Sequence, residues 1–123
     1  MFYVSCLMLH INVIFEGWQD NLAPYYKTAD IFLQTSNYEG YGLALMEAYA
    51  AGLPIVTTDV GVVGEAVLGD GVFVCSVCDG ACLAEALEKA LSGNRRFARK
   101  LPQISKEAYL LSYKKQWESC IHT

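Results

Sequence analysis

Short apolar runs alternate along this chain with segments of helical spacing. Ile11-Asn12-Val13-Ile14-Phe15, Ile31-Phe32-Leu33-Gln34-Thr35, Pro54-Ile55-Val56-Thr57-Thr58 and Val72-Phe73-Val74-Cys75 are rich in β-branched and aromatic residues and predict strands. Pro54 fits at a strand's first residue, where its missing N–H costs no ladder bond. The stretches between predict helices. Asp20 is the expected N-cap of one over 21–29, with Pro24 tolerated in its first turn. A second covers 43–51 and is closed by Gly52. A short third is expected over 61–68, before an Asp70-Gly71 turn. Asp79 caps a fourth that runs to Leu91, with Leu83, Leu87, Ala90 and Leu91 on one face. A last helix over 103–120 carries a loose stripe of Ile104, Ala108, Leu111 and Trp117.

Near-continuous apolar strands that alternate with helices predict an α/β fold, a Rossmann-like parallel sheet with helices on both faces. In such sheets ligands sit outside the carboxyl ends of the strands. The 36–43 loop leaves a strand's carboxyl end and enters a helix, so it is in the position of a binding loop.

With 123 residues the chain is one domain at most, and 54% hydrophobic content marks it as a folding sequence. A net charge of −4 argues against a nucleic-acid partner, because no broad positive field is available to hold phosphates. The opening residues 1–10 have no positive n-region, and Ser5 and His10 interrupt their apolar run, so no secretory signal is expected. Cys6, Cys75, Cys78, Cys82 and Cys120 are an odd set, expected as free thiols in a reducing compartment. Cys75-x-x-Cys78-x-x-x-Cys82 lacks a nearby fourth ligand, and a metal or redox role is not assigned to it. Arg95-Arg96-Phe97-Ala98-Arg99-Lys100 is read first as a solvated helix surface, with contact to anionic lipid as the alternative. His10 and His122 are isolated and receive no role.

Candidate chemistry concentrates between Glu39 and Glu47. Gly40 and Gly42 are ordinary turn glycines on one reading. On the other, their missing side chains let a phosphate approach backbone N–H groups at a helix N-terminus. The helix that follows is apolar nearly all round (Leu43, Leu45, Met46, Ala48, Tyr49, Ala50), so it is expected to be buried. A glutamate inside such a helix is costly unless it is paired or faces a ligand cleft, which singles out Glu47. An anion-binding corner with a carboxylate at each end suits a nucleotide sugar, a phosphate-centred ligand with hydroxyls at both ends.

These residues resemble the retaining glycosyltransferases of family 4. The resemblance runs from about Val13 to Leu91. It is carried by Ala29-Asp30-Ile31-Phe32-Leu33, Ser36, Glu39-Gly40-Tyr41-Gly42-Leu43, Glu47-Ala48, Ala51-Gly52-Leu53-Pro54-Ile55-Val56, Thr58-Asp59-Val60-Gly61 and Gly64-Glu65. It implies the GT-B fold, with residues 1–123 as an incomplete C-terminal, donor-binding half. The acceptor-binding N-terminal domain and the basic residues that grip the diphosphate would lie outside this chain. Glu39 would position the donor sugar. Backbone N–H groups of Gly40, Tyr41, Gly42 and Leu43 would meet sugar and diphosphate, and Glu47 would hold the ribose hydroxyls. No metal or other cofactor is implied. The partners implied are a nucleotide sugar, the missing domain or another chain, and a membrane surface carrying a lipid-linked acceptor. The implied location is cytoplasmic. The chain alone is expected to be inactive. Two other readings are a non-catalytic module that completes its sheet with another chain, and a nucleotide-sugar epimerase of the same overall fold, against which the Glu39-to-Glu47 motifs argue.

Overall fold

The computed structural model describes residues 14–99, together with 105, 107, 110, 111 and 114. Three parallel strands form its centre: β1 (Phe32–Gln34), β2 (Ile55–Thr58) and β3 (Val72–Cys75), in the order β1-β2-β3. Phe32 pairs with Ile55, and Ile55 in turn with Val72. Parallel neighbours require crossovers. Helix α2 (Leu43–Ala50) lies between β1 and β2, the turns of 59–71 lie between β2 and β3, and α3 (Gly80–Ser92) follows β3. Helix α1 (Ala23–Thr28) precedes β1.

The pleat divides the core in two. Phe32, Ile55 and Val72 share a register row and pack with Leu45, Val62 and Val67 on the α2 side. Val56 and Phe73, one residue on, face the opposite side and pack with Ala86, Ala90, Leu83 and Leu87 of α3. All four residues of β2 are buried, as expected of a central strand covered on both faces. The predicted α/β sheet with helices on both faces is therefore observed.

Several expectations need correction. Helix α1 begins at N-cap Leu22 with no side-chain cap, not at Asp20. The Asp20 carboxylate instead accepts the Trp18 Nε1–H at 3.0 Å. No helix forms over 61–68. Gly61 and Gly64 both sit at positive φ (61° and 82°), which breaks helical continuation, and Val63 and Val67 form an isolated bridge. Leu91 is exposed, because the buried stripe of α3 runs through Ala86 and Ala90. Helix α2 is not buried all round. Leu45 and Ala48 face the core, whereas Leu43, Ala44, Glu47 and Ala50 are exposed.

Ile14 and Phe15 are exposed and outside any strand, and the rest of the strand predicted over 11–15 lies outside the described residues. The last predicted helix also lies mostly outside them. Its positions 107, 110, 111 and 114 are helical, with Leu111 exposed.

The expectation that all five cysteines are free is overturned for two of them. Cys75 and Cys82 form a disulfide, with Cα atoms 5.8 Å apart. Cys75 ends β3, and Cys82 lies in the first turn of α3, where its N–H is held by the Asp79 N-cap carboxylate at 2.9 Å. A strand end and the first turn of the next helix are close in space once the connecting turn is tight. Cys78 is free and exposed, and Cys6 and Cys120 lie outside the described residues.

The basic run is not a helix surface either. Residues 95–99 cross the structure as an extended clasp. Arg96 donates to the carbonyls of Tyr26, Lys27 and Ala29 (3.2, 2.5 and 3.0 Å), taking up the acceptors left open at the end of α1. Arg99 donates to the carbonyls of Leu53 (2.8 Å), Asp70 (3.1 Å) and Tyr49 (3.4 Å) and stacks 4.3 Å above the Tyr49 ring. Arg95 pairs with Asp30 at 2.6 Å on the surface. Between them the Phe97 N–H donates to the Gly52 carbonyl at 2.9 Å. Burial pushes the Arg99 pKa down from its ordinary value, opposed by the neighbouring Tyr49. Among the described residues, no helix is long and apolar enough to cross a membrane.

Candidate functional site

The loop between β1 and α2 stands over the carboxyl ends of the strands and is braced from below. The Thr58 hydroxyl, at the end of β2, donates to the Ser36 carbonyl at 2.6 Å. The Ser36 hydroxyl donates to Glu39 Oε1 at 2.7 Å, so one carboxylate oxygen is fixed. Downstream, the Val62 N–H donates to the Tyr41 carbonyl at 3.1 Å. Gly61 permits this approach: a β-carbon there would lie 2.7 Å from the Tyr41 oxygen, and its φ of 61° disfavours any side chain. The Cys78 thiol reaches Asn37 Oδ1 at 3.7 Å, so the turn after β3 also touches the loop.

Gly42 is the N-cap of α2, left-handed at φ 92°, and has no side-chain cap. Its glycine identity is required by the turn. Gly40 has open space where a β-carbon would stand, so nothing within the described structure requires a glycine there. The first N–H groups of α2 are left without a side-chain acceptor, the arrangement that receives an anion at a helix start. Leu43 (70% exposed) and Glu47 follow one turn apart on the same open face.

Glu47 and Tyr26 both line a depression of about 360 Å³, shared with Gln19, Asp20, Asn21, Leu22 and Ala23 from the start of α1. Glu39 is not among its lining residues. The two glutamates thus stand at opposite ends of the Gly42–α2 junction, not in one pocket. Burial, then the nearby Glu47 carboxylate, pushes the Tyr26 hydroxyl up to about 12. Tyr26 carries no signal in the sequence beyond its place in an amphipathic stretch. Among the described residues, no group of three or more His, Cys, Asp or Glu side chains could hold a metal ion.

A parallel α/β sheet, with polar loops gathered over its carboxyl ends and an uncapped helix start among them, defines a Rossmann-like α/β fold, the class in which ligands sit at that end of the sheet. Comparison with known proteins makes this more specific. The sequence model of the family "Glycosyl transferases group 1" matches residues 4–110, and the chain belongs to that family. It is 40% identical over 58 residues to the lipopolysaccharide core biosynthesis mannosyltransferase LpsB of Rhizobium meliloti, a stretch covering 47% of this chain and 16% of that protein. It is 40% identical over 80 residues to the N-acetyl-alpha-D-glucosaminyl L-malate synthase of Bacillus anthracis (63% of this chain, 21% of that protein). It is 44% identical over 64 residues to a glycogen synthase of Mycobacterium tuberculosis (51% and 16%). The matched stretches thus span only about a fifth or less of these relatives' lengths. No solved structure matches the chain significantly.

Proposed function

We propose that residues 1–123 form part of the donor-binding, C-terminal half of a retaining family 4 glycosyltransferase of the GT-B fold. The whole protein would move a sugar from a nucleotide donor to an acceptor with retention of anomeric configuration. The observation that carries this reading is the braced Ser36–Glu39 loop, which leads through left-handed Gly42 into the uncapped start of α2, with Glu47 one turn further on. Glu39 holds donor-sugar hydroxyls. The N–H groups of Gly40, Tyr41, Gly42 and Leu43 meet the sugar and diphosphate, and Glu47 takes the ribose hydroxyls. Charge on the leaving diphosphate is stabilised by these donors and by basic groups elsewhere in the protein, with no metal. Transfer requires donor and acceptor enclosed together, so this chain by itself does not turn over. The relatives' names (mannosyltransferase, glucosaminyl malate synthase, glycogen synthase) support a hexosyl donor without choosing one. The protein acts in the cytoplasm, at a membrane surface where its acceptor is lipid-linked.

The test is calorimetric binding of nucleoside diphosphates to the whole protein that carries this chain. Glu47→Ala weakens binding by about 1.5–3 kcal/mol, the range for hydrogen bonds to a charged group. Unchanged affinity removes the ribose assignment, and turnover by the isolated chain overturns the dependence on other parts. A second reading, a non-catalytic module that completes its sheet with another chain, is favoured by one observation. Among the described residues β1 pairs only with β2, and Leu33 on it is 46% exposed. Sedimentation over a range of concentrations separates the two, because a module that completes its sheet with another copy gains mass with concentration and a monomeric fragment does not.

A further inference from the structure

Glu39 lies on an irregular loop, yet its side chain is held from two directions. Its Oε1 accepts the Ser36 hydroxyl at 2.7 Å. Its β-carbon sits against Gly61, where an added β-carbon would stand 3.2 Å from it. The loop is in turn pinned at both ends to the end of β2 and the turn after it. The Thr58 hydroxyl donates to the Ser36 carbonyl at 2.6 Å, and the Val62 N–H donates to the Tyr41 carbonyl at 3.1 Å. Thr58 is 1% exposed, so water does not compete for its hydroxyl. A carbonyl and a carboxylate can only accept, which fixes both hydroxyls as donors. Among the described residues Glu39 Oε2 receives no hydrogen bond, and Glu39 is only half-buried. One oxygen is therefore committed to the protein and the other is open to a ligand. A free glutamate side chain samples many rotamers, and ordering them when a ligand arrives costs affinity. The Ser36 bond and the Gly61 contact impose that order beforehand.

We propose that Ser36 is the positioning residue for Glu39 and that Thr58 acts through it: together they aim Oε2 at one hydroxyl of the donor sugar. This rests on the donor-sugar role of Glu39 given above and adds the residues that make that role selective. A carboxylate with both oxygens free can follow a hydroxyl to a neighbouring position. With Oε1 tied, an epimer whose hydroxyl points elsewhere loses the bond and leaves the fixed oxygen unpaired. Thr58 belongs to β2, and the loop continues β1, whose Gln34 pairs with Thr57. The aim of Glu39 is thus set by the pairing of two strands and not by the loop alone.

The experiment uses the whole protein that carries this chain, with Ser36→Ala, Thr58→Val, Thr58→Ser and Glu39→Ala made singly, and Ser36→Ala also combined with Glu39→Ala. Calorimetry compares uridine, guanosine or adenosine diphosphate, whichever binds, with its glucose, galactose and mannose conjugates. The bare diphosphate is the control, because the Tyr41 end of the loop keeps its own tether to Val62. Ser36→Ala should weaken the preferred conjugate about 3- to 10-fold, the effect of one lost hydrogen bond. It should leave the bare diphosphate unchanged and narrow the preference between epimers. Thr58→Val keeps the shape without the hydroxyl and should do the same, whereas Thr58→Ser restores the parent values. Ser36→Ala should add nothing when Glu39 is already alanine. Unchanged affinity, equal losses on conjugate and bare diphosphate, or the same loss with Glu39 replaced, overturn the role of Ser36 and leave that of Glu39 standing. A Thr58→Val protein at parent values overturns the part of Thr58. A parent that binds no conjugate, or a Glu39→Ala protein that binds it as the parent does, overturns the donor-sugar role and this inference with it.

Discussion

Replacing Gly52 with alanine tests whether the clasp holds the sheet as described. Gly52 follows α2 at φ 78°, and a β-carbon there would overlap the carbonyl oxygen of Phe97. Gly64 supplies the control. Its φ is 82°, almost the same, and nothing lies within 4 Å of its would-be β-carbon. The left-handed backbone costs an alanine roughly 1–2 kcal/mol at either position. At Gly52 the obstacle is backbone, not a side chain that can swing aside, so the clasp must lift. Lifting it breaks the 2.9 Å Phe97 N–H bond to Gly52, a further net loss of about 0.5–1.5 kcal/mol. It also loosens the Arg99 contacts on either side. Gly52→Ala should therefore cost about 2–4 kcal/mol and Gly64→Ala about 1–2 kcal/mol. At about 4 °C per kcal/mol for a chain of this size, the melting temperature falls about 8–16 °C and 4–8 °C respectively. Thermal unfolding followed by far-ultraviolet circular dichroism reads both. Equal costs would refute the reasoning, because backbone strain alone would then account for Gly52.

Arg99→Lys keeps the charge but cannot span the carbonyls of Leu53 and Asp70, and should lose about 1–3 kcal/mol in urea unfolding. Arg95→Ala should stay within about 0.5 kcal/mol, because its pair with Asp30 is largely exposed. Iodoacetamide applied to the folded chain without reductant should label Cys78 and spare Cys75 and Cys82, and a dithiol reductant should open both; peptide mass mapping reads the three sites separately. Tyr26 has a folded pKa of about 12 against an ordinary 10.0. Raised in the folded state, it contributes stability that is fully present below pH 10 and is lost as pH rises from 10 to 12. Subtracting the Tyr26→Phe profile from that of the parent should isolate this loss, and a flat difference would count against the partial burial of the hydroxyl.

Where local chemistry sufficed, the elements were legible in advance. β3 matches its predicted run residue for residue, Asp79 caps α3, and left-handed Gly52 follows the end of α2. The 36–43 loop was placed at a strand's carboxyl end by alternation alone, and the braced Glu39 stands there. The misses depend on distant partners or on competing local conformations. A short helix is expected over 61–68, but two glycines and three valines in eight residues are weak helix formers, and positive φ at Gly61 and Gly64 prevents the ladder. The apolar sequence of α2 does not reveal that only Leu45 and Ala48 reach the core, because that depends on which neighbours cover it. Arg96 and Arg99 looked like solvated charges because the carbonyls they satisfy belong to α1, α2 and the turns after it. The disulfide is missed: all five cysteines are expected to be free, and only the tight turn between the end of β3 and the first turn of α3 brings Cys75 and Cys82 together.

The clasp also sets an order of events during synthesis. Arg96 binds carbonyls that leave the ribosome 67 to 70 residues before it, and Arg99 reaches back 29 to 50. Until residues 95–99 emerge, the end of α1 and the α2–β2 connection have these acceptors open to water. The parallel strands can meet earlier, but contacts of such separation form late because the loop entropy must be met first. While residues 95–99 are still unmade, nothing from the clasp can secure the end of α1. In that interval the exposed aromatic side chains near α1, Phe15 and Trp18 among them, are what a chaperone, or another nascent chain, would encounter.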